Sequence, residues 1–424
     1  MSSEIFPIED PNRGKDQLDS TDDIPWVQPA DNDFHDSVFS KTEPYDSLPL
    51  ALPPEDELPC VVAMPRPPHP GYWWSWLWCF VYLIATQVVP AFTVICVMIG
   101  IQIIKAGDVQ TGLSETIGGD QGTEFSRRSL MPSLFAAQAT GIVFSLLIIR
   151  LLVGREWKRK IAFCRPGFVH LALVLIGFPA LPILASGIFA LAKHFLPSFG
   201  DIFKLFVLIK GPEDLGMESL VKEIRTWPWQ LAVLIIGVGP GINEELWCRG
   251  FLGRGLVGRY GVVGGIILTS FFFGLLHIDP QQGFMAACMG LALHFTYVMS
   301  RSLWVPMLLH FMNNSLSAIA SHLGPEVEKI DTAGNEIPVM LYLGSAILML
   351  AVGYALYVSR VRLVRAHADI VYPWRPDYPG VELPPAGSGT IVVRPWPGWL
   401  ASGLVALGSA LFMGSAYWTW SHSI

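Results

Sequence analysis

Charge is what this sequence has least of. Only 15% of its 424 residues are Asp, Glu, Lys or Arg, against 52% hydrophobic, and that leaves too little polar surface to cover a large water-soluble globule. The chain therefore reads as a membrane protein. Paired cysteines are also missing. Cys60, Cys79, Cys96, Cys164, Cys248 and Cys288 form no CxxC, and most lie in apolar runs, which favours small core residues over a zinc cluster or a disulfide framework. Basic residues are scattered at helix ends with no aromatic-interleaved patch, so nucleic acid is not an expected partner. No apolar run follows a basic N-terminus; the first begins near Tyr72, and insertion is expected to use the first transmembrane helix. The glycines Gly237, Gly239 and Gly241 around Pro240 fit neither the phosphate-loop nor the dinucleotide fingerprint. They are expected to loosen a helix and bring backbone near a cavity. His170 and His194 stand at helix ends and are expected at the interface; mid-span His294 is expected to be a packing histidine.

What charge there is lies unevenly. Residues 1–72 hold 15 acidic and 4 basic side chains, the remainder 20 acidic and 24 basic. The acidic segment is rich in Asp, Pro and Ser and cannot bury enough apolar surface to offset its ordering entropy, so a disordered tail is expected. Beyond it, a span of about 20 apolar residues per helix marks an all-α, polytopic transmembrane bundle of about eight to nine spans. They are placed near 73–104, 130–152, 167–192, 228–256, 261–277, 283–300, 304–322, 338–358 and 396–420. The first is long and carries Pro90, so a kink or an interfacial entry turn is expected there, and a polar external loop is expected over 105–129. The division is a tail (1–72), N-terminal helices (73–159), a membrane core (160–322), and C-terminal helices (323–424) containing a Pro-rich linker (368–394). Basic stretches around Arg155–Lys160, Arg249, Arg254, Arg259, Arg301 and Arg360–Arg365 fall on one side if helices alternate, and the positive-inside rule makes that side cytoplasmic.

Against this apolar background three polar clusters stand out. The first is Glu244-Glu245 with Arg249, in a helix where each buried charge costs about 2.5–3.5 kcal/mol even on the lenient scale. Glu245 and Arg249 are i and i+4 and share a face, whereas Glu244 points about 100° away. One glutamate is neutralised locally and the other is left for something else. The second cluster is Phe273 with His277, and the third is His310 with Asn314, again i and i+4 on one face. In straight full-length helices His277 and His310 would stand about 25 Å apart along the membrane normal at 1.5 Å per residue. A shared site requires the 261–300 region to bend, through a deep start to the fifth helix or a short, tilted sixth.

These motifs, EExxxR (Glu244-Glu245-Leu-Trp-Cys-Arg249), FxxxH (Phe273-Gly-Leu-Leu-His277) and HxxxN (His310-Phe-Met-Asn-Asn314, preceded by Ser302-Leu-Trp304), resemble the signature of the CPBP/Abi intramembrane proteases, which include the type II CAAX prenyl endopeptidases. The resemblance covers roughly residues 160–322. It implies an intramembrane endopeptidase of membrane-associated substrates, CAAX-type prenylated ones among them, with the first glutamate of its motif activating water. The residues permit that chemistry independently. Glu244 is the candidate base; Glu245 paired with Arg249 sets the local field; His277 orients the water or assists proton transfer; His310 and Asn314 supply oxyanion donors. Metal stays open. A glutamate and two histidines also suit a divalent ion such as zinc, and the family is commonly labelled metalloprotease, yet HExxH is lacking. Two other readings stay open beside the protease: a non-proteolytic membrane scaffold or bacteriocin-immunity-type binding protein, and a proton-coupled transporter, which the lack of an internal repeat disfavours.

Overall fold

The computed structural model describes residues 67–117, 119–206, 217–323, 337–365 and 374–422. The acidic tail, through residue 66, lies outside them. The membrane body is built from α1 (Tyr72–Ala106), α2 (Glu124–Val153), the shorter α3 (Phe168–Gly177), α4 (Ala180–Ile202), α5 (Trp229–Leu275), α6 (Pro280–Ser300), α7 (Trp304–His322), α8 (Val339–Val358) and α9 (Trp399–His422). All but α3 and α7 are long and apolar enough to cross a bilayer, seven among the described residues, and the protein is a multi-span integral membrane protein. Every predicted span is helical. The count differs because 228–256 and 261–277 run on as one apolar segment, α5, although the backbone breaks at Gly261 where the sequence divides them, and because α7 carries many polar residues.

Local chemistry explains where these helices bend. Pro90 has no N–H to donate, and the chain just before it relaxes into a π-helical turn at Ile84–Val88. The expected single span over 167–192 is instead two helices, ended at Gly177 and restarted behind Pro179. α5 breaks at Gly261, whose φ of 73° is open to glycine at little steric cost. The expected external loop over 105–129 is also helical, with Val109–Ile117 and the first turns of a helix that begins at Gly119. Its polar residues satisfy their backbone within helices.

An aromatic knot fixes α1 and α2 against α5. Trp247 is fully buried, stacked on Tyr82 of α1 at 4.5 Å and 17°, and packed against Phe144 of α2 at 5.6 Å. Such ring pairs add about 0.5–1.5 kcal/mol beyond the area they bury. Residues 362–365 (β1) and 390–393 (β2) pair as a short two-stranded antiparallel sheet, Arg362 opposite Val393 and Arg365 opposite Thr390. The Pro-rich stretch expected to be a linker is folded over its described part, with Tyr378, Val381 and Glu382 all buried. Its acidic side chains meet Arg159 of the short helix Trp157–Lys160 and Arg254 of α5, a complementarity that composition alone conceals. The first helical part of α4 ends at Phe195, and His194 is exposed in its last turn as expected, but His170 is buried at 1% exposure. The described cysteines are free; Cys60 lies outside the described residues.

Candidate active site

The glutamates sit in a seven-residue α-helical stretch, Gly239–Glu245, flanked by π-helical turns at Val233–Val238 and Leu246–Leu252. A π-turn rotates the residues after it relative to an ordinary helix and loosens the backbone ladder, and such turns recur at functional sites. The glycines before the carboxylates serve close approach. A Cβ at Gly241 would stand 3.1 Å from the Phe311 backbone of α7, and one at Gly237 would overlap Ser315. α7, which carries His310 and Asn314, is thereby drawn against the glutamate-bearing stretch.

Glu245 is fully buried, and its Oε1 receives two hydrogen bonds, from Arg249 Nη1 at 2.8 Å and His310 Nδ1 at 2.9 Å. The guanidinium makes two further contacts inside the protein: Nη2 donates to the Gly290 carbonyl at 3.0 Å, and Cζ lies 4.5 Å from the centre of the Phe273 ring, while Nε has no hydrogen-bond partner among the described residues. Both members of this pair have 0% side-chain exposure. The network assigns the His310 tautomer. A carboxylate only accepts, so Nδ1 carries the proton, and Nε2 is left to accept from Asn314 Nδ2 at 3.1 Å. The amide orientation agrees, because Asn314 Oδ1 is taken by Asn313 Nδ2 at 3.3 Å. From sequence His310 is expected to be an oxyanion donor alongside Asn314. Here its one N–H is spent on Glu245, and Asn314 retains the uncommitted N–H.

Glu244 differs from its neighbour. Its side chain is 21% exposed, its Oε2 has no hydrogen-bond partner among the described residues, and that oxygen lies 3.8 Å from His310 Nε2. Beside it, Asn243 is pinned by α2: Ser145 Oγ donates to its Oδ1 and its Nδ2 donates to Gln138 Oε1, each at 3.3 Å. His277 Nδ1 donates to the Phe273 carbonyl at 2.9 Å, so its neutral form keeps Nε2 as an acceptor. The rings of His277 and His310 both stand edge-on to Phe273, with centroids at 5.1 and 5.7 Å. The separation of about 25 Å expected of straight helices does not occur. The break at Gly261 gives the second part of α5 a separate course, and Phe273 becomes the hub on which Arg249, His277 and His310 all rest.

Three groups at this site were not found by sequence reasoning as participants: Phe273 as a hub, the Gln138–Asn243–Ser145 bridge, and Tyr378, whose hydroxyl reaches Arg249's backbone. Phe273 had a signal, its motif position. The others belong to segments without a motif. As for metal, both His310 nitrogens are engaged, and among the described residues no group of three or more His, Cys, Asp or Glu side chains is placed to hold an ion. The donor set as arranged does not fit one, and no step below is routed through a metal.

The fold and this site define a polytopic membrane protein with a buried, hydrogen-bonded acid–imidazole–amide constellation. The comparisons with known proteins narrow that class. Residues 226–316 match the family described as type II CAAX prenyl endopeptidase Rce1-like, which holds all three motifs. The "Putative membrane peptidase YdiL" of Bacillus subtilis (strain 168) is 26% identical over 138 residues, a match that spans 32% of this chain and 56% of that protein. The resemblance read from the motifs is thus borne out over this region. No solved structure matches.

Proposed function

We propose that the protein is an intramembrane endopeptidase that hydrolyses peptide bonds of membrane-associated substrates, with CAAX-type prenylated proteins as the substrate class its family match suggests. The observation that carries this reading is the division of labour between two adjacent glutamates. Among the described residues each keeps an Oε2 without a hydrogen-bond partner, but Glu245 is fully buried with its Oε1 held by Arg249 and His310, while the Glu244 side chain is 21% exposed and forms no ion pair with an arginine. A partly buried carboxylate of that kind is a base for water.

In this mechanism Glu244 takes a proton from a water whose oxygen bonds to the scissile carbonyl carbon, and His277 Nε2 orients that water. The free N–H of Asn314 donates to the oxyanion that forms. Collapse of the tetrahedral intermediate breaks the C–N bond, and the proton held by Glu244 passes to the departing amine nitrogen, restoring the carboxylate. Arg249 and Glu245 hold His310 and the helix in register. The side that carries Arg159, Arg254 and Arg301 is assigned to the cytoplasm by the positive-inside rule, and the site opens that way.

The test compares membrane-proteome termini in cells expressing the wild type and Glu244→Gln, which is nearly isosteric. New termini that depend on Glu244 support the reading. Identical termini, with the biological effect retained, favour a scaffold, and altered proton dependence of transport favours a transporter. Dialysis of the purified protein against a zinc chelator is expected to leave turnover unchanged. Loss on chelation with recovery on zinc would mean that His310 gives up Glu245 or Asn314 to a metal.

A further inference from the structure

The segment after β1 reaches the site from outside the family-matched region. Tyr378 is fully buried, and its hydroxyl lies 3.0 Å from the Arg249 carbonyl and 3.0 Å from His294 Nε2. A carbonyl only accepts, so the hydroxyl donates to Arg249 and accepts from an Nε2–H of His294. That tautomer leaves His294 Nδ1, buried and without a hydrogen-bond partner, as a bare acceptor. Gly253 makes the approach possible, since a Cβ there would stand 2.5 Å from the Tyr378 hydroxyl oxygen and 3.1 Å from the His294 ring. The ring is seated edge-on to Tyr297 at 5.9 Å.

The turn that carries Tyr378 is built to hold it there. The Glu382 carboxylate accepts from the backbone N–H of Asp377 at 2.6 Å and from Arg159 Nη1 at 2.8 Å. Arg301 donates to the Glu382 carbonyl at 2.8 Å, and Arg254 Nη2 pairs with Asp377 Oδ2 at 2.9 Å. Three arginines from separate parts of the chain thus clamp residues 377–382. Arg249 lies in the π-helical turn Leu246–Leu252, where the ladder is loosened and a carbonyl benefits from an outside donor. Burial pushes the Tyr378 phenol well above its ordinary range, so it stays a protonated donor.

We infer that Tyr378 is a positioning residue for the active site, and that the clamped turn 377–382 fixes the backbone of Arg249 and through it Glu245, His310 and Asn314. The relay consists of hydrogen bonds at 3.0, 2.8, 2.9 and 3.1 Å. This inference rests on the intramembrane-protease reading for its catalytic consequence, though not for its geometry.

The experiment uses full-length protein in nanodiscs, with 13C-labelled histidine to follow the His310 ring resonance and a prenylated peptide to follow turnover. Tyr378→Phe keeps the ring and removes the donor. The expected result is a shifted His310 resonance with kcat lowered roughly 10-fold and KM unchanged, the loss of aim that a small misplacement produces. A folded variant with resonance and kcat at wild-type values overturns the inference, as does a change confined to KM. If Tyr378→Phe does not accumulate, Glu382→Gln loosens the clamp with the tyrosine intact, and wild-type kcat and resonance in that variant overturn it equally. If neither wild type nor Glu244→Gln cleaves peptide, the protease reading fails, while the His310 shift still decides whether the turn 377–382 positions the site.

Discussion

α6 and α9 are both apolar enough to cross a bilayer, yet they occupy opposite kinds of place. In α6, 56% of the most apolar stretch is buried, against 22% in α9. α9 meets α8 through small residues: Gly408 lies against Leu348, and Gly344 against Phe412 and Ser415. Around α5 to α7 the contacts are instead ionic and hydrogen-bonded, with Arg249, Glu245 and His310 all buried and bonded to one another. Helices in lipid gain little from hiding apolar surface from one another and associate through close packing or polar contacts. α8–α9 use the first, which tolerates many sequences. The α5–α7 core uses the second, in which each polar group is tolerable only because the others are present, and one group, Glu244, is left over.

The contrast breaks most sharply at that leftover group. Glu244→Gln is expected to lower peptide turnover by roughly 10²–10⁴-fold, the range of a general base. Thermal unfolding in detergent should stay near wild type, because the Oε2 removed has no partner to lose. A large drop in unfolding temperature would show that Glu244 is structural. Arg249→Met should do the reverse and strike stability first. It strands the Glu245 carboxylate in the interior, at a cost of about 3–5 kcal/mol. Adding Glu245→Gln to Arg249→Met should recover part of that loss, since a pair removed together leaves no unpaired charge. If the double variant is no more stable than the single, the pair is not what the core depends on.

Much of this was legible in the sequence because the expensive residues are the informative ones. Long apolar runs announced the helices, and Glu245–Arg249 and His310–Asn314 were paired correctly from i and i+4 spacing alone. What could not be read was direction. The φ of Gly261 redirects α5 and brings His277 and His310 to one phenyl ring, and no periodicity argument carries a bend of that kind. The tautomer of His310 was hidden too, because it depends on which neighbour claims Nδ1. The role of residues 374–393 was concealed by a composition that reads as a spacer, although Asp377 and Glu382 match arginines more than 70 positions away in sequence.

Asn314 sharpens the comparison within the core. Asn314→Ala removes the amide that faces His310 Nε2 and also the proposed oxyanion donor, so turnover should fall by roughly 10²-fold. Asn314→Asp keeps the shape and removes the N–H, and it should be impaired to a similar degree. Equal activity in the aspartate variant would count against oxyanion donation.

The smallest effect is expected at the periphery. A Cβ at Gly344 would stand 2.5 Å from Ser415 Oγ and 3.2 Å from the Cα of Phe412. The serine can rotate away, but the Phe412 backbone cannot, so Gly344→Val must push α9 outward. Overpacking of this kind typically costs about 1–3 kcal/mol, and the unfolding temperature should fall accordingly. Turnover per folded molecule should not change, because α9 supplies no group to the Glu244–His310–Asn314 constellation. A variant that keeps its stability but loses turnover would show that α9 is coupled to the site, and the distinction between a polar core and a small-residue periphery would have to be redrawn.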